Sequence, residues 1–148
     1  MALQMSGEYQ LTAPRERVYE ALNDEAVLKQ CIPGCEEIER LSDDTLRAVV
    51  VAKVGPVKAR FKGKVTLSDL TPPERYRITG EGDGGIAGFA KGGALVTLTE
   101  RDGGTHLLYE VEVQIGGKLA QLGQRLVAGT AKKNADEFFD NFVRLLEG

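Results

Sequence analysis

The sequence predicts an α+β fold, a seven-stranded curved antiparallel sheet wrapped around a long C-terminal helix, with two short helices after strand one. Three observations predict it. Residues 36–115 read as successive strand-period segments joined by tight turns. Two helical signals interrupt the pattern only near the start. An amphipathic stretch from about Lys118 to Leu146 reads as one unbroken closing helix.

Leu3, Met5, Tyr9 and Leu11 alternate with Gln4, Ser6, Glu8 and Gln10, the period of a half-buried strand ending near Thr12. Thr12-Ala13-Pro14-Arg15-Glu16 opens a helix, with Thr12 the expected cap and Pro14 in the first turn; Val18, Tyr19 and Leu22 supply its apolar side. Asn23 or Asp24 caps a second short helix through Val27 and Leu28. Pro33-Gly34 ends it, because proline disfavours helical geometry in the residue before it.

Strands follow at about Glu36 to Leu41, Thr45 to Val54, Val57 to Leu70, Glu74 to Gly82, Ile86 to Glu100 and Thr105 to Ile115. Gly55-Pro56 and Asp102-Gly103 fit two-residue hairpin turns, with glycine where positive φ is needed. Long strands joined by such turns make an antiparallel meander. No linker or internal repeat divides them, so residues 1–148 are expected to form a single domain.

On the strand from Val57, the residues Ala59, Phe61, Val65 and Leu67 share its apolar side, while Lys58, Arg60, Lys62 and Lys64 make the other side basic. That stripe either meets an anionic partner or is a solvated face balanced by neighbouring acids. The last strand turns Leu107, Tyr109, Val111, Val113 and Ile115 inward and His106, Glu110, Glu112 and Gln114 outward, which makes the lone histidine a poor general base. Between these strands the inward set Ile86, Gly88, Ala90, Gly92, Ala94, Val96 and Leu98 is small in its first half. Small side chains under a helix remove the bulk that fills a core at crystal-like density. A straight helix of about 30 residues, about 45 Å long, does not follow a curved sheet everywhere, so a hollow is expected.

Composition excludes several classes. With 148 residues and 42% hydrophobic content the chain supports a true core, and a net charge of -3, from 19 basic and 22 acidic residues, gives no global attraction to nucleic acid. No apolar run approaches the roughly 20 residues that span a bilayer, and the first residues lack the pattern of a secretory signal; a soluble cytoplasmic chain is expected. Cys31 and Cys35 are one residue too far apart for the Cys-x-x-Cys redox motif, with no second pair to complete a zinc site, so two free thiols and no metal or cofactor are expected. Gly80-Glu81-Gly82-Asp83-Gly84-Gly85 matches the dinucleotide-binding pattern formally, but a strand follows it, not a helix N-terminus. It reads as a bend or bulge.

This layout is that of the helix-grip fold, and the chain resembles the carbon monoxide dehydrogenase G-subunit (CoxG) family within the START and polyketide-cyclase-like superfamily. The resemblance rests on Ala13-Pro14-Arg15, Leu28 with Cys31-Ile32-Pro33-Gly34-Cys35-Glu36, Val54-Gly55-Pro56-Val57-Lys58-Ala59-Arg60-Phe61, Gly80-Glu81-Gly82, Ala87-Gly88-Phe89-Ala90 and Gly117-Lys118-Leu119-Ala120-Gln121-Leu122-Gly123. It implies a non-catalytic accessory protein of a molybdenum hydroxylase system that helps the enzyme mature, dock at the membrane or exchange electrons with a lipophilic carrier such as a quinone. Dehydrogenase subunits are the implied protein partners. Some relatives carry a C-terminal extension that reaches the membrane; this sequence runs to Leu145-Leu146-Glu147-Gly148, and peripheral contact with the inner membrane is expected of it.

Three functional expectations follow. A hydrophobic small molecule occupies a cavity whose sheet side is Phe61, Val65, Gly88, Ala90, Gly92, Tyr109 and Val111 and whose helix side is Leu119, Leu122 and Leu126, with Pro33-Gly34 and Gly55-Pro56 at the rim. The glycine-interrupted start of the helix, from Gly116 to Gly123, is its gate. Alternatively, a small cyclase or hydrolase uses the same cavity, with Tyr109 as the chief inward polar group, or a docking factor acts through Lys58, Arg60, Lys62 and Lys64.

Overall fold

The computed structural model describes residues 1–147. Its elements run β1 (Ala2–Leu11), α1 (Arg15–Leu22), α2 (Glu25–Cys31), β2 (Cys35–Ser42), β3 (Thr45–Val54), β4 (Val57–Thr71) and β5 (Arg75–Asp83). After a single 3-10 turn at Gly85–Ala87 come β6 (Phe89–Arg101), β7 (Gly104–Gly116), α3 (Lys118–Gln121) and α4 (Gln124–Glu147). All strands join one antiparallel sheet in the order β1-β7-β6-β5-β4-β3-β2. Strands β1 and β2, consecutive in sequence, therefore lie at opposite edges. Helices α1 and α2 carry the chain across between them.

Local chemistry explains the boundaries. The Asp24 carboxylate accepts the Ala26 and Val27 amides at 2.8 and 3.4 Å and so caps α2. Past its end Gly34 adopts φ 76°, where an added Cβ would strike the Val51 carbonyl. Gly55 takes φ 57° in the β3–β4 hairpin, and Asp102 and Gly103 take 52° and 78° in the β6–β7 hairpin, as short turns joining twisted strands require.

Three expectations are corrected. Thr12 does not cap α1; Pro14 occupies the cap position, and the Thr12 hydroxyl and amide both donate to Glu147 Oε1 at 2.7 Å, tying the end of α4 to the end of β1. The closing helix is not continuous, because Gly123, at φ 93°, separates α3 from α4. Ile86 does not enter the interior with β6: it sits on the 3-10 turn and is 90% exposed.

The buried apolar residues form two clusters. One, around Leu11, Tyr76, Leu98, Leu107, Tyr109, Phe139 and Phe142, seats the C-terminal half of α4 against the sheet and α1–α2. The other, made of Leu3, Val54, Ile115, Leu119 and Val127, seats α3 and the first turn of α4 at the opposite end. Phe142→Ala is expected to cost about 3–5 kcal/mol in urea unfolding, since its ring is fully buried, whereas Ile86→Ala should stay within about 0.5 kcal/mol of the parent.

Candidate functional site

Strand register turns the small residues into a floor. Paired residues of an antiparallel sheet point to the same face, and one ladder across the sheet reads Leu46, Val65, Gly80, Gly92, Val113, Leu3. The adjacent ladder reads Ala48, Gly63, Gly82, Ala90, Ile115. Both lie on the helix-facing side, because Ile115 and Leu3 belong to the cluster that holds Leu119 and Val127. The central four strands thus bring only alanine, glycine and one valine to the middle of that surface.

The helix above is equally lean. Between Val127 and Phe138 the apolar side chains of α4 are Ala128, Ala131 and Ala135, all half-buried. Half-burial extends to the floor: Val65, Gly80, Gly82, Ala90, Gly92, Val111 and Val113 all keep part of their surface. Val65 belongs to neither buried cluster. Gly82 is the most open of the floor glycines, since a Cβ built on it would meet nothing nearer than Phe61 Cβ at 4.0 Å. By contrast, a Cβ on Gly92 would strike the Glu112 carbonyl, so glycine there permits close backbone approach between β6 and β7.

The predicted lining residues divide by position. Val65, Ala90, Gly92 and Val111 lie on the floor, with Phe61 at its margin, where the ring covers Gly84. Leu119 is buried in the smaller cluster and Leu122 packs on it, closing one end. Leu126 is 40% exposed and reaches across to Gly55, which places both at the rim. Gly88 is buried in a turn at φ 117° against Gly116 and Gly117, outside the floor. Tyr109 turns away from it; its ring lies over Gly7 of the edge strand and stacks on Phe139 at 5.2 Å. Pro33-Gly34 sits beside β3, where the Gly34 carbonyl accepts the Val51 amide at 2.9 Å.

The reading from sequence overlooked Gly63, Gly80 and Gly82. Gly80 and Gly82 looked like a bend, yet they alternate with Tyr76 and Ile78 on the inward side of β5, a period-2 signal that would have found them.

A ring of short segments closes one end of the floor. The β3–β4 hairpin touches Leu126 of α4 at Gly55, the start of α3 touches the 3-10 turn where Gly117 meets Gly88, and that turn returns to β4 through Gly84 and Phe61. Gly117 and Gly123, at φ 74° and 93°, flank the four-residue α3 that carries Leu119.

Polar groups collect at the β1 side of α4. The Tyr9 hydroxyl and Lys132 ammonium both donate to Asp136 Oδ1, at 2.9 and 2.8 Å. The Lys132 donor first, then Tyr9, holds the Asp136 carboxyl below the usual carboxylate range. Burial, reinforced by Asp136, pushes the Tyr9 phenol up. Tyr109 is 4% exposed, its hydroxyl has no protein partner and burial raises its pKa, so it is a poor base at neutral pH. Cys31 and Cys35 are free and burial raises both thiols. Among the described residues, no group of three His, Cys, Asp or Glu side chains is placed to hold a metal ion. His106 faces outward as parity requires, with Nε2 at 3.2 Å from Glu8 Oε1.

The outward basic stripe is partly balanced. Arg60 pairs with Glu36 at 2.9 Å, and Lys62 and Lys64 stand opposite Asp83 and Glu81 on β5. Only Lys58 faces another cation, Lys53. A groove of about 840 Å³ opens on this outward face, lined in part by Lys62, Lys64, Glu81, Phe89 and Lys91. No helix among the described residues is long and apolar enough to cross a membrane.

Comparison with known proteins adds a family and a fold. The family model for CoxG, described as the G-subunit of carbon monoxide dehydrogenase, matches residues 7–146. A conserved protein from Geobacillus kaustophilus has the same fold at TM-score 0.92 and 29% identity, over 98% of this chain and 95% of that one. An uncharacterized protein from Rhizobium leguminosarum, 19% identical over 99% and 95% of the two chains, aligns at TM-score 0.73. A protein from Chromobacterium violaceum, 18% identical over 98% and 97%, also aligns at 0.73. No curated protein matches the sequence. The helix-grip architecture is thus shared well beyond detectable sequence likeness.

The Asp136 cluster has a pH consequence. Because the folded carboxyl titrates below its unfolded value, its contribution to stability is present at neutral pH and is lost as pH falls through the lowered folded pKa. Tyr9→Phe removes one donor, so a carboxyl NMR titration should find the Asp136 midpoint moved up toward the ordinary carboxylate value. An unchanged midpoint would mean that Lys132 alone sets it.

Proposed function

The chain belongs to the CoxG family, the family's model matching residues 7–146, and from that premise we propose that it is a non-catalytic accessory protein that carries an apolar small molecule for a molybdenum hydroxylase. The guest, a lipid or a quinone-like molecule, lies along the floor of Gly63, Gly80, Gly82, Ala90 and Gly92 beneath Ala128, Ala131 and Ala135. The carrying observation is the open space above Gly82, where neither sheet nor helix supplies bulk. An apolar guest there removes its own surface and that of Val65, Val111 and Val113 from water, at about 25 cal/mol per Å². Few polar contacts are needed for useful affinity.

The site chemistry favours carriage over turnover. An acid or base working at neutral pH needs a pKa displaced toward it, and the inward polar candidate, Tyr109, is displaced the other way and turned toward the sheet edge. The family's accessory character agrees with this reading. Docking to dehydrogenase subunits remains part of the proposal, with the outward groove beside Lys62, Lys64 and Lys91 as the surface it would use.

The test fills the floor without touching the buried clusters. Gly82 takes no positive φ and has room for a side chain, so Gly82→Leu should fold with a melting temperature near that of the parent. Native mass spectrometry and solvent extraction of parent protein should recover a hydrophobic species that is absent or at least about tenfold depleted from Gly82→Leu, the loss of about 1.4 kcal/mol or more of binding. Equal recovery from both proteins would place the guest elsewhere.

A further inference from the structure

The ring that closes the floor is also where the charge of this acidic protein reverses. Ile86 on the 3-10 turn is 90% exposed, Phe89 just after it 48%, and Leu126, against the β3–β4 hairpin, 40%. Around them stand Lys53 and Lys58, paired across that hairpin, Lys118 at the start of α3 and Arg125 at the start of α4. Among the described residues none of these four cations takes part in an ion pair. The one acid at this end of the sheet, Asp83, turns its Oδ1 back onto the Gly85 amide at 2.8 Å. At the far end the turns carry Asp43, Asp44, Asp69, Glu74 and Asp102, and Arg15, Arg40 and Arg77 are held by Glu100, Glu25 and Asp69.

We infer that this tip docks on an anionic phospholipid bilayer, with Ile86 entering the headgroup layer, Leu126 and Phe89 following at its margin, and Lys53, Lys58, Lys118 and Arg125 facing the lipid phosphates. Charge complementarity selects the occupant. The chain carries net charge -3, so attraction to an anionic surface must be local, and the two ends of the molecule differ in sign where they meet solvent. Shape selects a bilayer over a protein. Ile86 protrudes from a turn as a single apolar knob, and three scattered side chains do not make the continuous patch of about 800 Å² per partner that a stable protein interface buries. A soft interface accepts such knobs, and juxtaposed lysines and arginines add to it. The inference deepens the carrier reading and rests on it for purpose, because the docked tip is the end at which Leu119 and α3 close the floor.

The experiment is sedimentation of the full chain with vesicles of phosphatidylcholine alone or mixed with phosphatidylglycerol, at low and high salt. Parent protein should bind only the mixed vesicles and be released by salt. The double variant Lys53→Glu/Lys58→Glu and the single variant Ile86→Asp should each bind at least about tenfold more weakly. Arg101→Glu, in the β6–β7 turn at the other end, should bind as the parent does. Ile86 makes no buried contact, so an unchanged melting temperature confirms that Ile86→Asp is folded. Loading of Ile86→Asp with its hydrophobic species, measured without vesicles, should be normal; loss of loading in the parent itself would count against the carrier reading and not against the tip. Equal weakening by Arg101→Glu, equal binding to uncharged vesicles, or no binding at all would overturn the inference. Capture of an acidic protein that depends on Lys53 and Lys58, without vesicle binding, would overturn it in favour of that partner.

Discussion

The structure depends on how α4 is held: firmly at both ends and lightly in the middle. Phe139 and Phe142 bury into the larger cluster at one end, and Val127, with Leu119 of α3, anchors the other. Between them alanines face glycines. Dispersion falls off steeply with distance, so an unfilled gap forfeits contact energy outright, and the molecule tolerates that loss because the end clusters and the sheet ladders carry the stability. Polar ties hold the same helix in register. Asn141 donates to the Cys31 carbonyl at 3.1 Å, Arg17 donates to the Leu146 carbonyl at 3.2 Å, and Glu147 receives Thr12.

From that arrangement the functional reading follows in steps. A helix fixed at its ends over a floor without bulk leaves space that water fills poorly, because the lining is apolar and offers it few hydrogen bonds. An apolar guest is the better occupant. The ring at one end is built from tight glycine contacts, Gly117 against Gly88 and Gly55 against Leu126, so the segments that close the floor meet through backbone and rim residues and not through a deep core. Breaking such contacts exposes less apolar surface than unseating Phe142 would, which makes this end the one able to open. Membership of an accessory family and the raised pKa of the inward Tyr109 both point to holding and transfer.

Much of this was legible in the sequence. Alternation named the strands of the meander, the β3 boundary at Val54 came from the glycine and proline that follow, and Asp24 announced its helix cap. Small residues at Ala90 and Gly92 signalled the floor. What was not legible needed register: Gly63 and Gly82 become neighbours of Ala90 only once four strands are aligned, and periodicity within one strand carries no such information. Ile86 was misplaced because an apolar residue before a strand looks inward until the turn geometry is known. Tyr109 looked available because parity points it inward, yet the missing side chain of Gly7 lets its ring fold over the edge strand. The break at Gly123 was visible as a glycine but not as a left-handed residue.

The most direct measurement is an electron-density map of the protein purified without delipidation. Elongated density lying along Gly80, Gly82 and Ala90 beneath Ala131, bounded by Val65 and Val111, is the predicted result. A map in which α4 rests on those glycines, with protein atoms in van der Waals contact throughout and no room for a guest, would contradict the account.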